Sequence, residues 1–255
     1  MRTNTTKAKL KAGETVLGCF VRYPDATLVE ILGYYGWDFF LLDAEHSPLL
    51  AKDAENLARA CELRNVTPII RVPTNLPHEI LRLMDVGMMG AQIPMINTKA
   101  EAQAAVNSVK FQPRGTRGLA GSRAANFGQI QPFSFAEYTV ESNAETMVIA
   151  QVETVQAVEN LEQILQVPDI DAIFIGPTDL SNSLGHPGDV NHPLVQETFN
   201  RIIETIKPTG IAIGTLVPNL EAAQKWRDRG ATYLMITMEA ILGPACRNFI
   251  KEMRN

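Results

Sequence analysis

The sequence is poor in cysteine, in positive charge and in long apolar runs, and each shortage excludes a class of protein. Its three cysteines are widely separated in 255 residues, without the spacing of a disulfide framework or a zinc site. The net charge is -5, which argues against a nucleic-acid or anionic-membrane partner because both require a basic surface. We expect Cys19, Cys61 and Cys246 to be small core residues.

Membrane and export signals are also missing. No stretch is uncharged for long enough to cross a bilayer, and the polar start MRTNTTKAKLKAGE lacks the apolar segment of a secretory signal. The sequence therefore predicts a cytoplasmic protein without a membrane partner, and small-molecule chemistry is the function class that remains.

Apolar segments rich in β-branched residues recur along the whole chain, separated by segments with apolar residues at intervals of three and four. Strict alternation of strand and helix predicts parallel strands with right-handed crossovers. Eight such units in this length are typical of a (β/α)8 TIM barrel. The predicted strands are 15–21, 39–45, 67–73, 90–96, 147–153, 172–177, 211–217 and 232–238, and the clearest helices are 48–64, 98–109, 154–166 and 219–230.

An open doubly wound sheet is the alternative fold, but no GxGxxG motif follows the first strand to support a dinucleotide site. No linker rich in Pro, Gly or Ser divides the chain, so residues 1–255 are predicted to form one barrel domain. The irregular segment 111–133 is rich in Gly, Arg and Pro, and long loops of this kind are frequently functional.

Polar residues stand at the ends of several predicted strands, where barrels of this type build their active sites. Such residues are costly inside a barrel unless they are paired, so their convergence indicates a site. Gln151 and Glu153 are two apart and share one face of their strand. Together with a carboxylate from the next strand, they suit a hard cation such as Mg²⁺ or Mn²⁺. The strand-end residues are Asp43, Glu45, His46, Arg71, Gln92, Gln151, Glu153 and Asp179.

Two of these residues have a structural alternative that the sequence leaves open. A lone histidine at a strand end is often a satisfied structural residue, but the carboxylates near His46 favour proton transfer. The Arg71 guanidinium could pair with a barrel carboxylate or bind a substrate carboxylate, and its location favours the substrate.

Several of these segments resemble one known family. FFLLDAEHSP, RVP, LMDVGMMGAQIPMINTKAEAQAAV, PRGTRG, QVETVQAVENLEQIL and DAIFIGPTDLSNSLGHPGD are similar to the HpcH/HpaI aldolases, the class II pyruvate aldolases, from about residue 10 to 250. The resemblance implies a metal-dependent (β/α)8 enzyme that cleaves 4-hydroxy-2-oxo acids, of the 2,4-dihydroxyhept-2-enedioate or 2-keto-3-deoxy sugar acid type, into pyruvate and an aldehyde.

The resemblance also implies a role for each matching residue. Glu153 and Asp179 would bind Mg²⁺, Mn²⁺ or Co²⁺, with no organic cofactor. His46 would handle the proton, supported by Asp43 and by Asp85, with one partner supplied in some enzymes by a neighbouring subunit. The pyruvate half would contact Arg71, Gln151, Gly176, Pro177 and Thr178, and the aldehyde side is expected near Val217 or the 111–133 loop with Arg114, Arg117 and Arg123. The alternative for these arginines is that they anchor the loop by binding carbonyls and carboxylates.

Other chemistries remain as alternatives. A lysine Schiff base is disfavoured because no predicted strand ends in lysine. Arginines in the 111–133 loop would suit an acyl-CoA lyase of the citrate or malyl-CoA type, although such relatives carry additional C-terminal sequence. A barrel that only binds an oxo acid would not need acid/base groups. The resemblance further implies a homohexamer, a trimer of dimers, with C-terminal helices exchanged between subunits.

Overall fold

Eight parallel strands form a closed barrel in the computed structural model, which describes residues 2–254. Each strand pairs with the next in the chain, and β8 closes on β1 from Val16↔Tyr233 to Phe20↔Thr237. The TIM barrel prediction is confirmed. The strands are β1 (Val16–Val21), β2 (Phe39–Asp43), β3 (Thr67–Arg71), β4 (Gly90–Ile93), β5 (Met147–Val152), β6 (Ala172–Ile175), β7 (Ala212–Leu216) and β8 (Tyr233–Thr237).

Helices surround the barrel and return the chain from the end of one strand to the start of the next. They are α1 (Thr5–Lys11), α2 (Ala26–Leu32), α3 (Ala51–Leu63), α4 (Pro77–Asp85), α5 (Lys99–Val109), α6 (Phe135–Glu145), α7 (Val155–Glu159), α8 (Leu161–Ile164), α9 (Pro177–Ser183), α10 (Pro193–Ile206), α11 (Leu220–Asp228) and α12 (Met238–Arg254). The predicted helix 154–166 is divided at Asn160, whose side-chain amide donates to the Asn97 carbonyl.

Large side chains fill the barrel interior from alternate strand positions. The Phe39 and Tyr233 rings stack with centroids 4.4 Å apart. Gly18 provides the room, since a Cβ at that position would lie 2.2 Å from the Phe39 ring. The barrel interior is therefore packed with side chains below its mouth.

The 111–133 loop is held at the amino-terminal end of the barrel by its arginines. Arg117 Nη2 lies 2.6 Å from Asp85, and Arg123 Nη2 lies 2.6 Å from Glu62, both near the C-terminal ends of helices that run antiparallel to the strands. Arg114 pairs with Asp169, which precedes β6. The three arginines thus anchor the loop at the far end of its own barrel, as the alternative for them predicted, and within one chain they do not contribute to the aldehyde side of the mouth.

The last helix, α12, extends from the barrel and buries little of its surface. Met238 is its buried residue, and several large apolar side chains are exposed: Ile241, Leu242, Phe249, Ile250 and Met253. Cys19 and Cys61 are buried as predicted, but the prediction was wrong for Cys246, which is exposed on this helix. Within residues 2–254, no helix combines the length and apolarity needed to cross a membrane.

Candidate active site

The inward-facing positions change from apolar to polar at the carboxyl ends of the strands. Strand register places Asp43 opposite Arg71, and Arg71 opposite Gln92, so three polar side chains stand side by side on β2, β3 and β4. All three are buried. Because buried polar groups are costly without partners, their hydrogen bonds decide the geometry of the mouth.

Arg71 is fixed by two carboxylates. Its Nε and Nη2 each donate to Asp43 at 2.9 Å, a bidentate pairing. Its Nη1 lies 3.1 Å from Glu45 Oε2, and its guanidinium carbon is 4.8 Å from the centre of the Phe20 ring. Arg71 therefore pairs with carboxylates of the barrel, which is the structural alternative that the sequence left open. A guanidinium has five N–H groups, and these contacts use three of them. Two N–H groups of Arg71 remain for a ligand.

Asp43 also shapes the turn after β2, because its Oδ1 accepts from the backbone N–H of Glu45 at 3.0 Å and of His46 at 3.3 Å. Among the described residues, the Asp43 carboxylate makes no contact with the His46 imidazole, contrary to expectation. The carboxylate beside that ring is Glu45, whose Oε2 lies 3.9 Å from His46 Nε2. Asp85 is paired with Arg117 at the other end of the barrel. In a single chain, Asp43 positions the His46 backbone, and Asp85 does not meet His46.

Glu45, unassigned by the sequence, bridges Arg71 and His46 at the mouth. The His46 side chain is 63% exposed, so it can exchange protons with solvent. Burial raises the pKa of Glu45, although Arg71 and His46 oppose the shift.

A second polar chain leads to Glu153. Gln92 donates to Gln151 at 2.6 Å, and Gln151 donates to Glu153 at 2.5 Å. The Met95 backbone N–H donates to the other Glu153 oxygen at 2.9 Å. Burial raises the pKa of Glu153; these two hydrogen bonds oppose the shift, and the nearby Asp179 carboxylate adds to it. The network holds the Glu153 carboxylate in one orientation.

The junction between β6 and α9 brings Asp179 close to Glu153. Gly176 precedes the helix, and a Cβ at that position would lie 2.6 Å from Glu153 Oε2, so only glycine fits. Pro177 opens the helix, a position where its missing N–H costs nothing. Asp179 follows in the first turn with an exposed side chain. Asp179 is near enough to Glu153 for its charge to raise the pKa of that carboxyl, at a junction that glycine keeps narrow.

These carboxylates have the donor chemistry of a divalent cation site. Across residues 2–254, no group of three or more His, Cys, Asp and Glu side chains is arranged as a metal cage. Two carboxylates with further oxygens from water or substrate suit Mg²⁺ or Mn²⁺, which keep several non-protein ligands. A cation would also relieve the repulsion from Asp179 that contributes to the raised pKa of Glu153. The residues present fit such an ion.

A cavity of about 650 Å³ lies on the β6–β8 side of the carboxyl end, mostly between the loop after β7 and helices α10 and α11. Its lining includes Pro177, Thr178 and Val217, which the sequence had assigned to substrate contacts, and also Leu216 and Thr237. Phe20 beneath Arg71 and the Met95 backbone donor were not among the site residues predicted from the sequence. Phe20 could have been found from the alternation along β1, whereas the Met95 contact depends on the fold around it.

The lysines do not favour a Schiff base. Burial and the neighbouring Lys7 lower the pKa of Lys110 to about 6, the range expected of a nucleophilic amine. However, its Nζ bonds the Asn143 and Thr146 carbonyls at the amino-terminal end of the barrel. Lys225 lines the cavity near the mouth but is paired with Glu221 on an exposed helix face.

Known proteins are similar to this chain over nearly its full length. Residues 16–242 match the family described as HpcH/HpaI aldolase/citrate lyase. A 5-keto-4-deoxy-D-glucarate aldolase of Escherichia coli O157:H7 is 36% identical over 91% of this chain and 90% of its own length. A hydroxypyruvate/pyruvate aldolase of Roseobacter denitrificans is also 36% identical, over 92% of this chain and 91% of its own.

Solved structures agree with these relatives. A HpcH/HpaI aldolase/citrate lyase family protein from Burkholderia cenocepacia superposes with a TM-score of 0.93 at 32% identity, over 99% of this chain and 100% of its own. A citrate synthase superposes with a TM-score of 0.85 at 25% identity, over 98% of each chain. The relatives named aldolases are carbon–carbon lyases, and this chain is an enzyme of that class. It belongs to the HpcH/HpaI aldolase/citrate lyase family.

Proposed function

We propose that the protein is a divalent-metal-dependent aldolase that cleaves 4-hydroxy-2-oxo acids reversibly into pyruvate and an aldehyde. The proposal rests on the carboxylate pair Glu153 and Asp179 beside the fixed Arg71 guanidinium at one barrel mouth. Substrates of the 2,4-dihydroxyhept-2-enedioate or 2-keto-3-deoxy sugar acid type have the oxo-acid end that this arrangement suits. The relatives named aldolases support the same reaction class.

Glu153 and Asp179 would hold Mg²⁺, Mn²⁺ or Co²⁺. When bound, the ion supplies electrostatic stabilisation of the negative charge that develops on the pyruvate half. The Gln92–Gln151–Glu153 chain keeps one carboxylate oriented before the ion arrives. No organic cofactor is required by this chemistry.

Arg71 would bind the carboxylate or the developing enolate oxygen of pyruvate through the N–H groups that Asp43 leaves free. Because Asp43 and Glu45 hold the guanidinium, little side-chain entropy is lost when substrate binds. The Gln151 side chain and the backbone from Gly176 to Thr178 would line the pyruvate pocket, and Val217 would contact the aldehyde half.

His46 would take the proton of the C4 hydroxyl. The C3–C4 bond then breaks, its electron pair forms the pyruvate enolate, and protonation of C3 gives the methyl group of pyruvate. Asp43 holds the His46 backbone at the mouth, and Glu45 lies close enough to stabilise an imidazolium.

The proposal is tested by pyruvate release from a panel of 4-hydroxy-2-oxo acids, before and after metal is removed with a chelator. We expect release to stop with the chelator and to return when Mg²⁺, Mn²⁺ or Co²⁺ is added. Metal-dependent exchange of the methyl protons of pyruvate alone tests enolate formation without an aldehyde. Turnover that survives complete metal removal would contradict the proposal.

We also propose that the protein is a homohexamer, a trimer of dimers, in which α12 packs on a second copy. The exposed apolar side chains of α12, such as Phe249 and Ile250, support this, because a surface of this kind gains stability when it is covered. In such an assembly Asp85 would support His46 of a neighbouring subunit. Light scattering measures the mass of the assembly, and Phe249→Glu is expected to reduce that mass. A wild-type protein that is monomeric would contradict the proposed assembly.

A further inference from the structure

One charged group at the mouth has no part in the chemistry above. Arg22 follows β1, and its Nη2 lies 2.7 Å from Glu239 Oε1 in the first turn of α12. The Tyr23 hydroxyl donates to the same oxygen at 2.9 Å. We refer to these three residues as the rim cluster.

The strand pattern directs this cluster toward the mouth. Val16 and Phe20 of β1 face the barrel interior, and Arg22 continues their alternation. Tyr233 and Met235 do the same on β8, which ends at Thr237, and Glu239 follows in the first turn of α12. Phe20 and Thr237 form the last pair of β1 with β8, and Arg22 and Glu239 each follow that pair by two residues, so both lie at the carboxyl end of the barrel.

The rim cluster stands across the mouth from the carboxylates. In the closed order of eight strands, β1 is four strands from β5 in either direction, so Arg22 is opposite Glu153. A substrate whose oxo-acid end is held at β3 and β5 extends its other end toward β8 and β1. Thr237, which lines the cavity beside the pyruvate pocket, is two residues before Glu239.

The cluster is neutral as a unit but keeps free hydrogen-bonding groups. Arg22 has five N–H donors, its recorded contact uses one, and its side chain is 42% exposed. Glu239 Oε2 is buried, and no residue in the described part of the chain donates a hydrogen bond to it. A hydroxyl group of the substrate can accept a hydrogen bond from Arg22 and donate one to Glu239 Oε2. A carboxylate at the same place would be repelled by Glu239.

We propose that the rim cluster recognises the aldehyde half of the substrate through a terminal hydroxyl group, which makes neutral hydroxyaldehydes the favoured class. This inference rests on the proposed function and adds its aldehyde specificity. Arg22 supplies the donor, Glu239 cancels the positive charge that would attract an anionic aldehyde, and Tyr23 holds Glu239 in place.

Aldol addition to pyruvate with three matched aldehydes tests the inference. Glyceraldehyde, lactaldehyde and tartronate semialdehyde share C1 and C2 and differ at C3, which is a hydroxymethyl, a methyl or a carboxylate. In the wild type, kcat/KM for glyceraldehyde is expected to exceed that for lactaldehyde by about tenfold, the effect of one hydrogen bond to a charged donor. Tartronate semialdehyde is expected to react more slowly than glyceraldehyde.

Two variants break the cluster in different ways. Arg22→Met is expected to bring the ratio of glyceraldehyde to lactaldehyde close to one. Glu239→Gln leaves the guanidinium uncompensated, so the ratio of tartronate semialdehyde to glyceraldehyde is expected to rise about fivefold or more. Each result is a ratio within one variant, so a general loss of activity cancels.

Glu204→Gln is the matched control, because it removes an exposed ion pair with Lys207 on α10 and is expected to leave both ratios unchanged. A wild-type ratio of glyceraldehyde to lactaldehyde near one overturns the inference, as does a Glu239→Gln variant with wild-type selectivity. Metal-dependent exchange of the pyruvate methyl protons in the wild type separates the two proposals: its absence contradicts the aldolase function, whereas exchange without the predicted selectivity contradicts the rim cluster alone.

Discussion

The two ends of the barrel both bury charged side chains, but they treat them differently. At the amino-terminal end, Lys110 Nζ lies within hydrogen-bonding distance of three oxygens, from Asn143 and Thr146. At the carboxyl end, Arg71 keeps two N–H groups beyond its contacts with Asp43 and Glu45, and Gln92 Oε1 accepts no hydrogen bond from the described residues. Polar groups that keep unused donors and acceptors beside paired charges can bind a ligand. The amino-terminal end stabilises the fold, and the mouth is prepared for substrate.

The largest effect expected from this contrast is in Glu153→Ala at the mouth. Loss of one of two proposed metal ligands is expected to lower pyruvate release by about 10³-fold or more, because metal stabilisation of the developing charge contributes several kcal/mol. Thermal stability is expected to fall modestly, since the Gln151 amide and the Met95 N–H lose their acceptor while an unfavourably buried carboxyl is removed. Initial rates and thermal melts measure both, and wild-type turnover would show that the carboxylate lies outside the reaction.

His46→Asn tests the proton transfer at the same end. The variant is expected to lose about 10²-fold in the rate of cleavage, the contribution of a positioned general base, while metal affinity remains unchanged. Steady-state cleavage and metal titration are the measurements. A loss of metal affinity equal to the loss of rate would assign His46 to the metal site instead.

Lys110→Met should reverse the pattern at the amino-terminal end. Methionine keeps most of the apolar stem but removes one donor from the Thr146 and Asn143 carbonyls. These oxygens keep Lys7 and Arg114 as partners, so the variant is expected to cost about 1 kcal/mol in the free energy of unfolding. Denaturant unfolding measures this cost. The kcat of the folded enzyme is expected to equal that of the wild type, and a stable variant with reduced kcat would break the distinction between the two ends.

Sequence reasoning recovered the barrel because the evidence is local. All eight predicted strands are present, with boundaries shifted by a few residues at their polar ends, because the alternation of apolar segments reports burial directly. The polar residues at the carboxyl ends of the strands also meet at one mouth of the barrel, as the parallel topology requires. Asn160 interrupts one predicted helix through a contact with Asn97, which is distant in sequence and could not be foreseen from periodicity.

The pairing of side chains was the unpredictable part. Asp43 and His46 are three residues apart, which suggested a contact between carboxylate and imidazole, but the strand register places Asp43 opposite Arg71 and the bidentate pair forms there instead. Arg117 likewise stands in a loop that looked functional and is bound to Asp85. Which side chains pair depends on distances across the fold. The sequence alone indicates possible partners but does not show which pair forms.

The narrow junction at Gly176 sets a limit on how this enzyme can be redesigned. A methyl group there would lie 2.6 Å from Glu153 Oε2, so even alanine would displace the carboxylate proposed to bind the metal. Mutagenesis for new aldehydes therefore has unequal freedom around the mouth. Libraries that vary the ends of β1, β7 and β8 can reshape the aldehyde side, while position 176 has to stay fixed for the shared half of every substrate to be held in the same way.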